Sequence, residues 1–398
     1  MKIILALLFV FQVGQTLFNP SFVEPWYSTT KSSHRYNLEL LRVWFNLTNN
    51  SLNLNNYLYY FDKHPNWNTA DKNNLLSYVP LDGFKTNLAL NLIPFGFYTK
   101  SYNISVYTQN QGNLSFPKNL FELILNGNEI NRTYNFKNIR FNGMSYIGIT
   151  AGVNYPIITN FNWINKLSSG LQFHFQRGLA VTFTDSADGN LVTTPENLFV
   201  RLYISQKLAQ NGNCAACDCF TTFEFSNNIN LTIALLNLST GFYWQDNCRL
   251  VTYEVLIDSV NFDYYLKKPF IDSVVNFISQ VNTLNSFKTK IPPQIFLYCD
   301  VALTPYIKSA IYYHHYLARS VFINDFAKQL NLSLYYYPSE VVNLKISVAT
   351  DLCKNFYFVP GLKLLLKKFY INLALPQYNG ILTKTKGLAL CFSSGFYF

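Results

Sequence analysis

The chain is poor in charged residues, and in acidic residues most of all. Charged side chains make up 13% of the sequence, about half of the quarter that is usual for soluble domains. Disordered chains are rich in charge and poor in aromatic residues, so the 17% of Phe, Trp and Tyr indicates a folded protein with a sizeable core. Only 21 residues are Asp or Glu, and few of them cluster, which disfavours a hydrolase built on paired carboxylates.

Recognisable catalytic motifs are also absent. The sequence contains five histidines without a metalloprotease spacing, and it has no nucleophile elbow, phosphate loop or dinucleotide fingerprint. His174 lies on the polar side of an alternating segment and is expected on the surface, while His314 and His315 lie among tyrosines and are expected to be structural. We therefore expect a protein that is not an enzyme, with no cofactor and no metal site.

No apolar run approaches the roughly 20 residues that a membrane-spanning helix requires. One apolar run is at the amino terminus, where Met1-Lys2 supplies one positive charge. An apolar stretch from Ile3 to Val13, broken only by Gln12, follows and leads into small and polar residues. This order is typical of a secretory signal peptide. The interpretation assigns residues 1–16 to a signal peptide and predicts a secreted, extracellular protein.

Seven cysteines follow, four of them within a short distance along the chain: Cys214, Cys217, Cys219 and Cys248. A zinc site would require a second pair or histidines at a defined spacing. Disulfide bonds among these four are the expected outcome in an oxidising compartment. Secretion also makes eight Asn-X-Ser/Thr sequons candidates for glycosylation, namely Asn46, Asn49, Asn103, Asn113, Asn131, Asn230, Asn237 and Asn331.

Alternation of apolar and polar residues dominates much of the chain. Leu88, Leu90 and Leu92 alternate with asparagine and alanine, and Phe173 and Phe175 alternate with polar residues. This period of two predicts strands with one buried face. The residues from Phe270 to Leu284 show helical spacing instead and predict an amphipathic helix with a buried apolar face. That face either lines a tube that binds a lipid ligand or packs in a core without a cavity. That face carries Phe270, Val274, Phe277, Ile278 and Val281.

A second amphipathic helix is predicted from Leu362 to Phe369. Leu365 and Phe369 would lie on its apolar, ligand-binding face, and Lys363, Lys367 and Lys368 on the opposite face could contact an anionic membrane. The alternative is that the apolar face packs in the core and the lysines are solvated. The formal net charge of +10 suits anionic partners such as lipid head groups. Nucleic acid is excluded as a partner because the basic residues are scattered.

These patterns predict an α+β fold that is rich in β-structure, with twisted antiparallel sheets and a few amphipathic helices packed on one face. The break near Lys288 to Pro293 suggests a β-rich domain over residues 17–290, ending in the amphipathic helix, and a smaller mixed domain over residues 291–398.

The carboxy-terminal segment resembles the closing segment of the tubular lipid-binding superfamily, which includes the bactericidal/permeability-increasing and lipopolysaccharide-binding proteins. The resemblance rests on the helix-like Leu364-Leu365-Leu366-Lys367-Lys368-Phe369, the stretch Leu373-Ala374-Leu375-Pro376 and the aromatic end Gly395-Phe396-Tyr397-Phe398. It covers fewer than 40 residues, and the long helix expected after the signal peptide is missing. The resemblance implies a twisted sheet wrapped around a helix, with an acyl chain held in an apolar tube.

The sequence therefore leads to a secreted glycoprotein that binds lipid or an amphipathic ligand without catalysis. The main alternative is a viral or protist surface glycoprotein that recognises a receptor or a neighbouring cell. A third interpretation is a membrane β-barrel ending on Phe398. The alternating strands favour it, whereas seven cysteines and the predicted helices argue against it.

Overall fold

The computed structural model describes residues 36–63, 66–157, 163–225, 228–261, 276–318, 328–351 and 355–398. Most of these residues form β-strands. The first ten strands are β1 (Tyr36–Asn49), β2 (Phe84–Thr99), β3 (Tyr102–Phe116), β4 (Thr133–Asn135), β5 (Arg140–Ile157), β6 (Lys166–Thr193), β7 (Asn197–Glu224), β8 (Ile229–Ser239), β9 (Phe242–Trp244) and β10 (Asp246–Asn261). The others are β11 (Asn276–Thr283), β12 (Phe287–Thr289), β13 (Gln294–Thr304), β14 (Ile307–Tyr316), β15 (Lys328–Tyr336), β16 (Val342–Thr350), β17 (Phe356–Leu366), β18 (Phe369–Ala374), β19 (Gln377–Tyr378) and β20 (Gly387–Tyr397).

The described helices are few and short: α1 (Leu54–Tyr57), which runs into a π-helical turn (Leu58–Lys63), α2 (Thr69–Ser77) and α3 (Lys118–Asn126), with one 3-10 turn at Leu382–Lys384. No helix in the described part of the chain is long and apolar enough to cross a membrane.

Fourteen strands close into a single antiparallel barrel. Each pairs with the next in the order β1, β2, β3, β5, β6, β7, β8, β13, β14, β15, β16, β17, β18 and β20, and β20 pairs with β1. The expected α+β fold with helices packed on a sheet face is therefore wrong. Closure has a clear physical consequence, since a closed ring pairs both edges of every strand in it. Strands on both sides of residue 290 belong to the same ring.

The two ends of the barrel differ. One end, here called the short-loop end, has two-residue turns after Thr99, Thr304 and Leu366, and Tyr36 and Phe398 exchange backbone hydrogen bonds of 3.1 and 2.9 Å there. The other, the long-loop end, carries helices α1 to α3 and the extensions of β6, β7, β10 and β11 beyond the ring. The helices are anchored by a hydrophobic cluster that includes Phe84, Phe121 and Tyr134.

Both predicted amphipathic helices are wrong where the structure describes them. Asn276–Thr283 is strand β11, which pairs in register with β10. The segment from Leu362 to Phe369 is the hairpin of β17 and β18, and its turn at Lys367 and Lys368 has Lys367 in the left-handed region with φ 57°. A short apolar run fits both the helical period of about 3.6 residues and the strand period of two. Pairing with a neighbouring strand therefore decides which structure forms.

The strand predictions at Leu88 and Phe173 are right about the period but wrong about the buried face. Asn87, Ala89 and Asn91 are buried, whereas Leu90, Phe173 and Phe175 are exposed. The alternating pattern is therefore reversed relative to a soluble sheet, with polar residues inside the barrel and apolar residues outside.

Candidate functional site

An apolar belt surrounds the middle of the barrel. Its side chains point outward from the ring strands, and each leaves at least a third of its surface exposed. The belt includes Ile149, Val153, Phe173, Phe175, Ile233, Leu235, Ile311, Leu332, Leu334, Ile346, Val348, Leu373, Leu388 and Leu390. A soluble monomer rarely exposes a contiguous apolar surface of this extent.

Aromatic side chains border the belt at the short-loop end. Trp163 stacks on Phe225 with ring centroids 5.9 Å apart, and Tyr36 stacks on Phe97 at 6.1 Å. Other exposed aromatic residues at this end are Tyr102, Tyr155, Tyr306, Tyr336 and Phe398. On the opposite border, outward-facing Arg177 donates a hydrogen bond of 3.0 Å to Asn213. The belt therefore has an aromatic girdle on one border and, on β6, the charged side chain of Arg177 on the other.

The inward-facing side chains of the same strands are largely polar and buried. Neighbouring strands are joined by hydrogen bonds between these side chains, such as Asn142 to Asn113 at 2.9 Å and Ser333 to Ser347 at 2.7 Å. Similar buried polar positions are Asn91, Asn103, Gln109, Gln176, Thr222, Thr232, Gln294, Gln329 and Asn331. The barrel thus has a polar lumen behind an apolar wall.

Aromatic side chains cross this lumen. Tyr98 of β2 belongs to one buried cluster with Tyr298, Tyr312 and Tyr335, although β2 is not a neighbour of β13, β14 or β15 in the ring. A second cluster joins Trp44 of β1 to Tyr316, Tyr357 and Tyr378. We call these two clusters the aromatic layers. Each layer therefore packs side chains from strands that are not neighbours in the ring.

A small polar cavity lies in the lumen toward the short-loop end. Its volume is about 80 Å³, and Glu39, Arg42, Lys345 and Lys363 line it together with tyrosines. We call it the basic vestibule. Arg42 binds the buried Glu39 across 2.7 Å, and Tyr98 donates a hydrogen bond of 3.1 Å to the same carboxylate.

Both lysines of the basic vestibule lie over tyrosine rings. The Nζ atom of Lys345 is 5.3 Å from the ring centre of Tyr335, and that of Lys363 is 5.5 Å from Tyr397. Lys363 also donates a hydrogen bond of 3.2 Å to the Tyr397 hydroxyl. Of these residues, the sequence singled out only Lys363, as a membrane contact. The sequence also contains a signal at Lys345. This cation alternates with the apolar residues Leu344 and Ile346, so it lies on the opposite face of the strand from them.

His174 is not the surface residue that the sequence predicts. It points into the lumen, where its Nε2 is 2.9 Å from Asp218 and its Nδ1 is 3.0 Å from the Thr150 hydroxyl. Thr150 is buried, and His174 and Asp218 are largely buried beside it. The group acts as a polar bridge between β5, β6 and β7.

The predicted disulfides are not formed. Cys214, Cys217, Cys219 and Cys248 are all thiols, as are the other described cysteines, while Cys353 lies outside the described residues. Cys217 and Cys219 stand two positions apart on β7, which places their Cα atoms about 6.6 Å apart at the usual strand rise, near the upper limit for a disulfide. Cys214 faces the opposite side of the same strand and shares a buried cluster with Cys248. No group of three or more His, Cys, Asp or Glu side chains in the described ranges could hold a metal ion.

The expected glycoprotein is also wrong. Five sequon asparagines are buried, namely Asn46, Asn103, Asn113, Asn230 and Asn331, and an oligosaccharide cannot be accommodated at a buried side chain. Asn49 and Asn237 are half-buried and Asn131 is exposed.

The residues predicted to bind ligand or membrane do not come together. Phe277, Ile278 and Val281 are exposed on β11, beyond the ring, and Phe270 and Val274 lie outside the described residues. Leu365 and Phe369 flank the β17–β18 turn that contains Lys367 and Lys368. The roles assigned to these residues remain predictions.

A larger groove lies outside the lumen. Its volume is about 730 Å³, and it runs along the outer side of β3, β5, β6 and β7 toward the long-loop end. Leu114, Phe141 and Leu208 supply apolar walls, and Gly143 leaves space between them. Because the groove lies beyond Arg177, it is separate from the belt and from the basic vestibule.

A model of a protein family of unknown function, DUF5723, matches residues 29–213. No curated protein matches the chain. Among solved structures, the chain is similar to the toluene transporter TodX of P. putida, with a TM-score of 0.47, 8% identity and coverage of 97% of this chain and 95% of the other.

Two further solved structures give comparable values. The monoaromatic hydrocarbon channel CymD has a TM-score of 0.49 and 9% identity, with 97% of this chain and 94% of the other covered. A FadL homologue from Pseudomonas aeruginosa has a TM-score of 0.47 and 9% identity, with 94% and 93% covered. None of the three is named as an enzyme.

The closed barrel overturns the functions that the sequence suggested. A secreted lipid-binding protein and a receptor-binding surface glycoprotein are both wrong, as is an extracellular location, because the exterior is an apolar belt and the sequons are largely buried. An anionic lipid surface or a receptor as partner is wrong for the same reason. The resemblance to the tubular lipid-binding superfamily also fails, because Leu362 to Phe398 forms β17 to β20 of the barrel and no helix lies against a wrapped sheet there.

Proposed function

We propose that the protein is an integral membrane β-barrel of the outer-membrane type. The observation that carries this proposal is the reversed pattern of the ring strands, with an apolar belt outside and polar side chains inside. Hydrocarbon offers no hydrogen-bonding partners, so only a helix or a closed barrel satisfies its own backbone there. The ring meets that condition.

The dimensions and the ends of the barrel support the same proposal. A membrane-spanning strand requires about 9–11 residues, and β15 has nine between Lys328 and Tyr336. Barrels of bacterial outer membranes have short periplasmic turns, longer extracellular loops and aromatic girdles. The short-loop end therefore faces the periplasm in this proposal, and the long-loop end faces outward.

Within the membrane, the barrel serves as a gated passage for small solutes and carries out no catalysis. The polar lumen provides the route, and the aromatic layers that cross it serve as the gate in this proposal. An apolar constriction in an otherwise polar channel is a recognised type of gate, because it excludes water until it opens.

Two measurements test this function. Membranes that contain the protein should retain it in alkaline carbonate and release it only in detergent. In planar bilayers, Tyr316→Ala should raise the conductance or the frequency of opening, because it removes a ring from an aromatic layer. Leu303→Ala, an exposed position near the short turn at Thr304, is the matched control and should leave the conductance unchanged. Release by carbonate would refute the membrane location, whereas an inserted barrel that never conducts, even with Tyr316→Ala, would refute the passage.

A further inference from the structure

A buried carboxylate lies beside the aromatic layer that contains Tyr98. Glu39 of β1 is fully buried, and two side chains bind it. The guanidinium of Arg42 is 2.7 Å away, and the Tyr98 hydroxyl donates a hydrogen bond of 3.1 Å to the second carboxylate oxygen. A buried charge is strongly unfavourable unless it is paired and hydrogen-bonded. Arg42 and Tyr98 therefore supply the partners that a buried carboxylate requires.

A β-bulge in β1 brings the acid and the base together. In a regular strand, residues three positions apart point to opposite faces. The pairing of β1 with β20 shifts by one residue between Glu39 and Leu41, so Glu39 and Arg42 both point into the lumen and form an ion pair. Bulges are frequent beside functional sites, where they change the direction of a side chain. The irregularity of β1 thus produces a contact that a regular strand would prevent.

Glycines on both neighbouring strands make room for tyrosine rings beside Glu39. The residues paired with Glu39 are Gly96 on β2 and Gly395 on β20. A Cβ atom at Gly96 would lie 2.6 Å from the Tyr98 ring, and one at Gly395 would lie 2.8 Å from the Tyr370 ring. A larger residue at Gly96 would therefore displace the ring whose hydroxyl binds the carboxylate.

Tyr98 connects this ion pair to the aromatic layer. Tyr312 and Tyr335 of the same layer share a hydrogen bond of 2.8 Å between their hydroxyls, whereas the Tyr98 hydroxyl binds a carboxylate. A hydrogen bond to an ionised acceptor is roughly twice as strong as one between neutral groups. The position of the Tyr98 ring in the layer is therefore coupled to the charge of Glu39.

We propose that Glu39 is the positioning residue of the gate. Its carboxylate holds the Tyr98 ring in the aromatic layer, and Arg42 holds the carboxylate. In an open lumen filled with water, the hydroxyl and the carboxylate would both be hydrated, so their bond favours the closed arrangement. The inference deepens the proposed function and rests on it for the consequence that moving the ring opens a passage. The placement of the ring by the carboxylate does not depend on that function.

Recordings of the full chain in planar bilayers test the effect on the gate. Tyr98→Phe removes the hydroxyl and keeps the ring, and Glu39→Gln removes the charge and keeps the shape of the side chain. A hydrogen bond to a charged group is worth roughly a tenfold change in an equilibrium. Each variant should therefore raise the ratio of open to closed time about tenfold. The double variant should open no more often than Glu39→Gln alone, because both substitutions break one contact.

Tyr134→Phe and Glu122→Gln are the matched controls. The Tyr134 hydroxyl is hydrogen-bonded to Gly127, and Glu122 is paired with Arg132, at the helices of the long-loop end. Both should leave the opening unchanged. Additive effects of Tyr98→Phe and Glu39→Gln, or no effect of either, would overturn the proposal. If Glu39→Gln does not fold, Glu39→Asp keeps the charge but withdraws it from Tyr98, and the same increase in opening is expected.

Fluorine NMR of the fluorotyrosine-labelled chain in detergent measures the position of the ring directly. The Tyr98 signal is assigned by its loss in Tyr98→Phe. Glu39→Gln should shift or broaden that signal and leave the Tyr134 signal in place. A purely structural Glu39 would lower the free energy of unfolding without moving the Tyr98 signal, and that result would refute the positioning role. Because this measurement needs no bilayer, a barrel that never conducts refutes the passage alone.

Discussion

Leu332 provides a direct test of the environment outside the barrel. It lies at the centre of β15, points outward with about half of its surface exposed, and is paired with Ile311 on β14 and Val348 on β16. Tyr336 points to the same side at the short-loop end of the same strand. Replacing each by arginine places the same charge at two depths of one wall.

The two environments predict different results. In a bilayer, an outward arginine destabilises a barrel by about 2–4 kcal/mol at the midplane and by about 0–1 kcal/mol near an interface. Leu332→Arg should therefore lower the free energy of unfolding by about 2–4 kcal/mol and Tyr336→Arg by about 1 kcal/mol or less. In water, both substitutions at exposed positions would stay within about 0.5 kcal/mol of the wild type.

Equilibrium unfolding in guanidinium, with the protein refolded into phosphatidylcholine vesicles and followed by tryptophan fluorescence, gives the required free energies. Leu332→Ala is the control for lost side-chain volume and should cost less than the arginine variant. Equal effects of Leu332→Arg and Tyr336→Arg would refute the proposed depth of the belt, and a neutral Leu332→Arg would refute burial in lipid altogether.

Two further predictions concern the packing around a glycine and the cap of a helix. A Cβ atom at Gly212 would lie 2.7 Å from the buried indole of Trp244, so Gly212→Ala should destabilise the barrel by about 1–3 kcal/mol through overpacking. At Gly143 the same atom meets only an ordinary contact of 3.5 Å, so Gly143→Ala should be nearly neutral in the same unfolding assay. If the two alanines had equal effects, the close approach of Trp244 would not be what requires a glycine. Asn68 caps α2 and forms a reciprocal capping box with Asp71, so Asn68→Ala should weaken this helix by about 1 kcal/mol, measured as faster amide exchange in α2; unchanged exchange would contradict the role of the cap.

The lumen-facing residues show what can be predicted from the alternation of apolar and polar residues. The alternation around Asn87 and Leu88 correctly predicts a strand, but the same alternation is produced by a soluble sheet with a buried apolar face and by a barrel with a buried polar face. Which face is buried depends on whether water or lipid surrounds the molecule. The sequence of a single strand does not indicate which of the two it is. His174 was placed on the wrong side for this reason.

The helices failed for a related reason. The predicted helices at Phe270 to Leu284 and Leu362 to Phe369 are short and rich in apolar residues. Their spacing therefore does not distinguish the period of a helix from that of a strand. Pairing of β11 with β10, and of β17 with β16 and β18, satisfies backbone groups that a helix would satisfy internally. Together with the seven cysteines, these helices were the argument against a barrel, so the error in local structure contributed to an error in fold class.

The sequence gives a signal at single positions such as Lys345, but it does not show that the residues of the basic vestibule come together. Glu39, Arg42, Lys345 and Lys363 come from opposite ends of the chain and meet only because β20 pairs with β1 and closes the ring. The sequence by itself determined a folded, strand-rich chain with little charge, because composition and period are local properties. Closure of the ring, the side on which each residue lies and the position of the charged lumen were decided only by the tertiary structure, because each depends on pairing between strands that are distant in sequence.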